Sequence, residues 1–452
     1  MKEREKLGSR LGFILLSAGC AIGLGNVWKF PYMAGQNGGG IFVLMYLLML
    51  ALLGIPVLTM EFSIGRAAQK SPVRAYQELE KKGAKWHLHG YVNLVSLVLL
   101  MMYYVVVAGW LVMYFVKMIK GDFAGLSSDA VAGEFSSMLS KPGPMIGFMG
   151  FVVVVGFFVV GIGLQNGLEK ITKYMMIALL LIMVVLAINS FSTEGAREGL
   201  SFYLLPKFDS VKEIGFSNIV MGALNQAFFT LSLGTGAMMI FGSYIGRERS
   251  LFGEAICVTL LDTFVAVTAG LIIFPACFSH GVTVDAGPSL IFITLPNVFN
   301  NMTLGRVWGS LFFLFMCFAA LSTVFAVFEA IMACVSDIIG TDRKKTCVLC
   351  CVGIFVLALL CVLGYNVWSE FEPLGKGTTV LDLEDFIVSN LLIPIGSIIY
   401  VLFCTYEKGW GWKKFLNEVN SGEGLKFPSW LKWYMGIVVP LVIGIILVAG
   451  LV

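Results

Sequence analysis

Runs of about twenty apolar residues recur along the chain, separated by short connectors that carry most of its charges. A helix rising 1.5 Å per residue needs about 20 such residues to cross a hydrocarbon layer roughly 30 Å thick. About eleven runs fit that scale, centred on Gly19–Tyr32, Ile41–Ile64, Val92–Val116, Met145–Ile162, Ile171–Ile188, Ile219–Phe241, Ala255–Phe278, Val307–Cys334, Cys347–Leu363, Phe386–Phe403 and Trp433–Val448. Backbone groups in hydrocarbon must be satisfied within the segment, so the runs predict helices rather than strands. The predicted class is an all-α polytopic membrane protein.

Two of the runs are interrupted. The first reads Gly19-Cys20-Ala21-Ile22-Gly23-Leu24-Gly25-Asn26-Val27-Trp28-Lys29-Phe30-Pro31, and the sixth Asn225-Gln226-Ala227-Phe228-Phe229-Thr230-Leu231-Ser232-Leu233-Gly234-Thr235-Gly236. In each, two glycines one residue apart lower helix propensity by about 2 kcal/mol, next to side chains with oxygen or amide groups. Unwound backbone survives at membrane depth only where protein or a water-filled cavity satisfies it, so both breaks are expected to line a site. Close helix packing is the alternative use of such glycines. Interruptions five spans apart favour the site, because an odd repeat length places them in corresponding positions of two inverted five-helix halves. Freed N–H groups at a half-helix N-terminus can hold a carboxylate, and freed carbonyls a hard cation such as sodium. Neither Gly-x-Gly follows a strand or precedes Lys-Ser/Thr, which excludes a nucleotide loop.

Composition narrows the classes. Apolar residues make up 58% and charged residues 13%, and the net charge of +3 over 452 residues builds no basic field for nucleic acid. Most of the 31 Lys and Arg residues fall on one side if the N-terminus is cytoplasmic, including Lys2, Arg4, Lys6, Arg10, the stretch 66–85 and Arg343–Lys345. The expected location is therefore the cell inner (plasma) membrane, multi-pass, N-terminus inside. The ten cysteines lie mostly within the runs and give no disulfide pattern. Cys347-x-x-Cys350-Cys351 lacks a nearby His, and His87-x-His89 near a helix start and His280 are isolated. A metal or general-base role for these is disfavoured.

With Arg10-Leu-Gly-Phe, Gly23-Leu-Gly-Asn26-Val-Trp-Lys-Phe-Pro31, Asn37-Gly-Gly-Gly40, Gly54-Ile-Pro56, Glu61, Gly65-Arg66 and Gln226-Ala-Phe-Phe-Thr-Leu-Ser232, the chain resembles the neurotransmitter:sodium symporters, in particular their prokaryotic amino-acid branch with the LeuT-type fold. The resemblance implies a 5+5 inverted repeat, over residues 1–190 and 191–406, with an eleventh helix and its connector in 407–452. It implies two sodium ions. One would be held by Ala21, Asn26, Thr230 and the substrate carboxylate, with Asp262 where the family has Asn, in a register open by one residue. The other would take carbonyls of Gly19, Ile22 and Ala319 with the hydroxyls of Ser322 and Thr323. Read alone, an adjacent Ser and Thr in a helix more often bond back to their own carbonyls.

For the substrate, the resemblance implies the backbone of Gly23, Leu24 and Gly25 with the Tyr104 hydroxyl around the carboxylate. Carbonyls of Ala21, Phe229, Thr230 and Ser232 would surround the amine, and Cys20, Leu100, Phe229, Thr235, Thr323 and Val327 the side chain. Thr235 stands where relatives can carry Phe, which predicts a roomier pocket with a hydroxyl and an aromatic amino acid, tyrosine first. Lys29 and Asp385 are the implied outer gate beneath which Tyr104 and Phe229 form a lid; Lys in place of the family's Arg loses the bidentate fork. Arg4 and Asp337, supported by Tyr244, are the implied inner gate, although Leu7 replaces the usual Trp nearby. Asp262 with Tyr46, Gln226 and Thr230 would substitute for a chloride ion. A proton-coupled amino-acid transporter is the rival, since Asp262 and Glu61 could titrate. No enzyme motif is visible, and a channel would need a continuous pore. The expected partners are a small amino acid, sodium ions and the bilayer, with no nucleic acid and no prediction for oligomeric state.

Overall fold

Five of the widened, i→i+5 hydrogen-bonded turns end two residues before a proline: Gly25–Lys29 before Pro31, Leu50–Gly54 before Pro56, Leu290–Thr294 before Pro296, Ile387–Leu392 before Pro394, and Tyr434–Val438 before Pro440. Proline lacks an N–H and its ring presses on the carbonyl four residues back, and the wider turn relieves that contact without ending the helix. This computed structural model describes residues 5–192, 195–279 and 288–451.

The helices that position the site are α1 (Arg10–Ala21), α2 (Gly25–Gln36), α3 (Gly40–Ala68), α4 (Pro72–Leu79), α5 (His87–Lys120), α6 (Pro142–Ile162), α7 (Leu164–Ser190), α8 (Phe216–Thr230), α9 (Ala237–Gly242), α10 (Leu251–Ser279), α11 (Gly305–Ile339), α12 (Arg343–Gly364), α13 (Val380–Thr405), α14 (Trp412–Val419) and α15 (Ser429–Ala449). Among the described residues nine are long and apolar enough to cross a membrane, and α1 with α2, bent by 55°, forms a tenth crossing. α8 and α9, separated by residues 231–236, stand in the place of the expected sixth span. Lipid is the solvent for the large apolar side chains left outside, among them Phe158, Leu181, Val348 and Leu441, each more than 60% exposed.

An inverted repeat leaves a signature in which spans touch. Exchanging the first five spans for the next five turns a contact of span 1 with span 7 into one of span 6 with span 2, and of span 5 with span 8 into span 10 with span 3. All four contacts occur, as α1/α2 on α10, α8/α9 on α3, α7 on α11 and α13 on α5. The long helices α5 and α11 pack on each other at the centre, and both broken spans lie beside them.

Candidate functional site

At the first break Ile22 leaves the helix with φ −70° and ψ 99°, and α2 begins three residues later. Gly23 is fixed by space: a Cβ there would overlap the Tyr104 and Thr323 hydroxyls. At the second break Ser232, Gly234 and Gly236 have φ of +51°, +80° and +89°. For Ser232 that left-handed conformation costs about 1–2 kcal/mol, and the backbone is held by Glu61 of α3. Its buried carboxylate accepts from the N–H groups of Gly234 (3.3 Å) and Met238 (3.2 Å).

The two breaks and α10 meet at Asp262. Asn26 donates its amide to Asp262 Oδ1 at 2.8 Å and to the Asp262 carbonyl at 3.1 Å, while its own Oδ1 accepts from the Gly23 N–H. Thr230 donates its hydroxyl to Asp262 Oδ2 at 3.1 Å. Asn26, Thr230 and Asp262 are all fully buried. Gln226 donates to the Gly25 carbonyl at 2.8 Å, leaving its Oε1 unpartnered among the described residues. Tyr46 packs on Phe30, ring centroids 4.7 Å apart, with its hydroxyl close to Asp262. At the position whose register the sequence left open, it is Asp262 that meets Asn26 and Thr230.

Across α1 from this cluster, α11 brings two hydroxyls to three carbonyls. Thr323 Oγ1 lies 3.2 Å from the carbonyls of both Gly19 and Ile22 and 3.4 Å from Ala319. Ser322 Oγ lies 2.9 Å from the Ala319 carbonyl and 3.5 Å from Ile22. Bonding back along the helix and reaching across to the break therefore coexist. Five neutral oxygens and no charge form a donor set suited to a hard monovalent cation.

Between the clusters lies a cavity lined by Cys20, Ala21, Gly23, Leu24, Gly25, Leu100, Tyr104, Phe229, Ser232, Thr235, Thr323 and Ile393. Its open space is about 20 Å³, room for about one water. Tyr104 accepts from the Leu24 N–H at 3.1 Å. Two of the residues expected around the substrate are not on the cavity wall. Val327, one turn beyond Thr323, is buried in the core and does not line the cavity. Thr230 turns its hydroxyl to Asp262 and is not on the wall either. Thr235 does line it, but its hydroxyl donates to the Ser232 carbonyl at 2.8 Å and accepts from the Ala237 N–H, so it closes the break at the start of α9. Ile393 takes part of the space and was not foreseen, because an Ile in an apolar run carries no signal.

Tyr104 and Phe229 also border a second, outer cavity of about 310 Å³ with Trp28, Lys29, Tyr32, Tyr103 and Asp385. Lys29 Nζ is 3.9 Å from Asp385 Oδ2 and 3.8 Å from the centroid of the Phe229 ring. Asp385 Oδ1 accepts from the Tyr103 and Ser389 hydroxyls, both at 2.9 Å. One lysine thus touches both the Asp385 carboxylate and the Phe229 ring.

Arg4, like His280, lies outside the described residues. Asp337 accepts from the Ser71 N–H at 3.0 Å. Tyr244 donates to Glu329 Oε1 at 2.7 Å, and Glu329 Oε2 is 2.5 Å from Arg343. Glu329 and Arg343 were missed, although a lone acid within an apolar run such as Val327-Phe-Glu329-Ala is itself a signal. The tail closes over this network. Leu7 N–H donates to the Tyr244 carbonyl at 3.2 Å, the Gly8 N–H and Ser9 hydroxyl to Glu169 at 2.8 and 2.9 Å, and Arg10 pairs with Glu254 at 2.9 Å.

Comparison with known proteins places this geometry. The model of the Sodium:neurotransmitter symporter family matches residues 4–134 and 129–452. A sodium-dependent transporter of Bacillus subtilis is 35% identical over 450 residues, 99% of this chain and 98% of that one. Another, of Haemophilus influenzae, is 32% identical over 463 residues, covering 100% and 99%. The sodium- and chloride-dependent glycine transporter 2 of Xenopus laevis is 23% identical over 526 residues, 99% of this chain and 64% of its own. Among solved structures, MhsT in complex with L-phenylalanine superposes with a TM-score of 0.88 at 34% identity, over 99% of this chain and all of that one.

Proposed function

This chain belongs to the Sodium:neurotransmitter symporter family, and from that premise we propose that it carries an amino acid into the cell together with two sodium ions by alternating access. It is a multi-pass membrane transporter and not an enzyme. The observation that carries the proposal is the pair of oxygen clusters flanking one cavity at the two helix breaks.

In this reading one sodium ion binds Ala21, Asn26, Thr230 and the substrate carboxylate beside Asp262. The second binds Gly19, Ile22, Ala319, Ser322 and Thr323. The substrate carboxylate faces the N–H groups of Leu24 and Gly25 and the Tyr104 hydroxyl, so substrate and the first ion share a charge contact and enter together. Two ions each gain about 2.3 kcal/mol from a 100 mV potential and about 1.4 kcal/mol from a tenfold gradient, roughly 7 kcal/mol in all. That is ample to concentrate a zwitterion.

Phe229 and Tyr104 form the wall between the two cavities, and an incoming side chain widens the inner one by displacing Phe229 from Lys29. An aromatic substrate is supported by Thr235, small where a larger residue would fill the wall, and by the L-phenylalanine held in MhsT. The N-terminus and the network of Tyr244, Glu329 and Arg343 are assigned to the cytoplasmic side of the plasma membrane, where the basic connectors cluster. The two repeats, 1–190 and 191–406, rock about the cavity. A proton-driven cycle is the second reading, favoured by the fully buried carboxylates of Asp262 and Glu61.

Binding of radiolabelled tyrosine and phenylalanine to the purified protein, in sodium and in potassium salt, tests the assignment. Binding confined to sodium, with aromatic amino acids the strongest competitors among the twenty, is expected. Equal binding in both salts would contradict it.

A further inference from the structure

Where α4, α5 and α13 meet, five side chains present seven polar atoms with no hydrogen-bond partner among the described residues. They are the hydroxyls of Tyr76, Ser397 and Tyr400, both ring nitrogens of His89, and both amide atoms of Asn93. Every one of these side chains is more than nine-tenths buried, His89 being the most exposed at 6%. Three of the rings pack together. Tyr76 and Tyr400 each lie 5.6 Å from His89 between centroids and 6.3 Å from each other.

The seam has two ends. Toward the surface, α5 begins at His87, whose half-buried ring lies 2.6 Å from Glu80. Inward, Asn93 is one helical turn beyond His89 and packs on Gly236 so closely that a Cβ there would sit about 3.0 Å from it. The same face of α5 continues through Leu97 and Leu100 to Tyr104 at the substrate cavity. Glu61 holds the N–H groups of Gly234 and Met238 on either side of Gly236, so the seam ends on the second break. There the backbones of Gly234 and Gly396 touch, with no space for a side chain on either.

A buried polar atom without a partner bears its whole desolvation penalty, and native interiors pair nearly all of them. Tyr76, Asn93 and Tyr400 lie near enough to interact weakly with one another, short of well-formed hydrogen bonds, while both ring nitrogens of His89 and the Ser397 hydroxyl have no such neighbour among the described residues. Polar atoms so placed on three helices point to a polar ligand. No cation fits well, since the donor set includes N–H and O–H groups and no carboxylate closer than Glu61. We propose that the seam is a water-binding site. About two or three ordered waters, each making about three hydrogen bonds, bridge Tyr76, His89, Asn93, Ser397 and Tyr400 and form a wet path from the α5 end to the second break. Water bonds re-form at little cost, so the break can shift along α13 at the Gly234–Gly396 contact without leaving these groups unpaired. The proposal does not depend on which ion or substrate is carried.

X-ray hydroxyl-radical footprinting tests it on the intact protein, because radicals formed from bound water modify the side chains beside it. Tyr203 is the control, fully buried but with its hydroxyl donated to the Val267 carbonyl at 2.9 Å. Tyr76 and Tyr400 are expected to be modified at least about tenfold faster than Tyr203, a margin well beyond one hydrogen bond's difference in packing. Modification as slow as at Tyr203 overturns the site. Asn93→Leu, or His89→Phe if the first variant does not fold, is expected to bring both tyrosines down to the control rate; an unchanged rate also overturns it. In the same variant, transport turnover should fall severalfold with KM unchanged. A change confined to KM overturns the role given to the waters.

Discussion

Asn26 and Asp262 join the first break to α10 through a 2.8 Å hydrogen bond between two fully buried side chains. The bond fixes the carboxylamide so that its oxygen faces Gly23 and the break, while Thr230 from the second broken span closes the other side of the carboxylate. One acidic residue thereby ties three spans together at the point where the substrate carboxylate is assigned.

Removing that link should uncouple the site from sodium. A hydrogen bond to a charged, buried partner is worth about 1.5–3 kcal/mol, so Asn26→Ala is expected to weaken sodium-dependent substrate binding by roughly 10- to 150-fold. Equilibrium binding over a sodium titration measures it, and near-normal affinity would count against the first ion site.

The second cluster is neutral, and its loss should be milder. Thr323→Ala removes one hydroxyl, about 1 kcal/mol, and is expected to raise the sodium concentration needed for half-maximal binding by about fivefold. Thr323→Ser should restore it. An unchanged titration in the alanine variant would reject the assignment.

Thr235→Phe acts on both the wall and the break. The ring fills part of the cavity that Thr235 and Leu100 line, so preference should move from aromatic toward smaller aliphatic amino acids. The lost hydroxyl bonds to Ser232 and Ala237 should also lower stability by about 1 kcal/mol, the usual net worth of a hydrogen bond. Competition by leucine against tyrosine, alongside a melting curve, reads both effects; equal tyrosine competition in mutant and parent would overturn the pocket assignment.

Chloride should be dispensable. Two sodium ions beside a zwitterion leave excess positive charge, and a unit charge about 4 Å away is worth about 4 kcal/mol at an effective dielectric of 20. On the proposed assignment Asp262 would supply that negative charge, as an anion would. On the same assignment it would take up a proton on the inward-facing return and release it when sodium rebinds, so part of the sodium influx would be exchanged for proton efflux. Uptake with gluconate in place of chloride should be unchanged for the parent and lost in Asp262→Ser until chloride is added. A parent that stops in gluconate would refute this.

Much of this arrangement was legible in the chain because it rests on glycine and on oxygen donors in apolar surroundings, which are rare and hence informative. Gly23, Asn26, Ser322 and Thr323 stand out for that reason, and so does Asp262. Side chains whose role depends on packing left no such mark. Ile393 reads like its neighbours, and the hydroxyl of Thr235 could not be aimed without knowing that Ser232 takes a positive φ. The Tyr244 network was only partly legible for a related reason: Tyr244 could be matched to a gate by position, but only the fold brings it to Glu329, 85 residues away. The unpaired polar seam was equally hidden. His89 and Asn93 look unremarkable one turn apart, until α4 and α13 bury them.

The most direct measurement of the central claim is amino-acid uptake into proteoliposomes under an imposed sodium gradient, and separately under an imposed proton gradient with sodium absent. Accumulation of labelled tyrosine or phenylalanine driven by the sodium gradient alone, and abolished in Asn26→Ala, is the predicted result. Accumulation driven by the proton gradient without sodium would contradict the account.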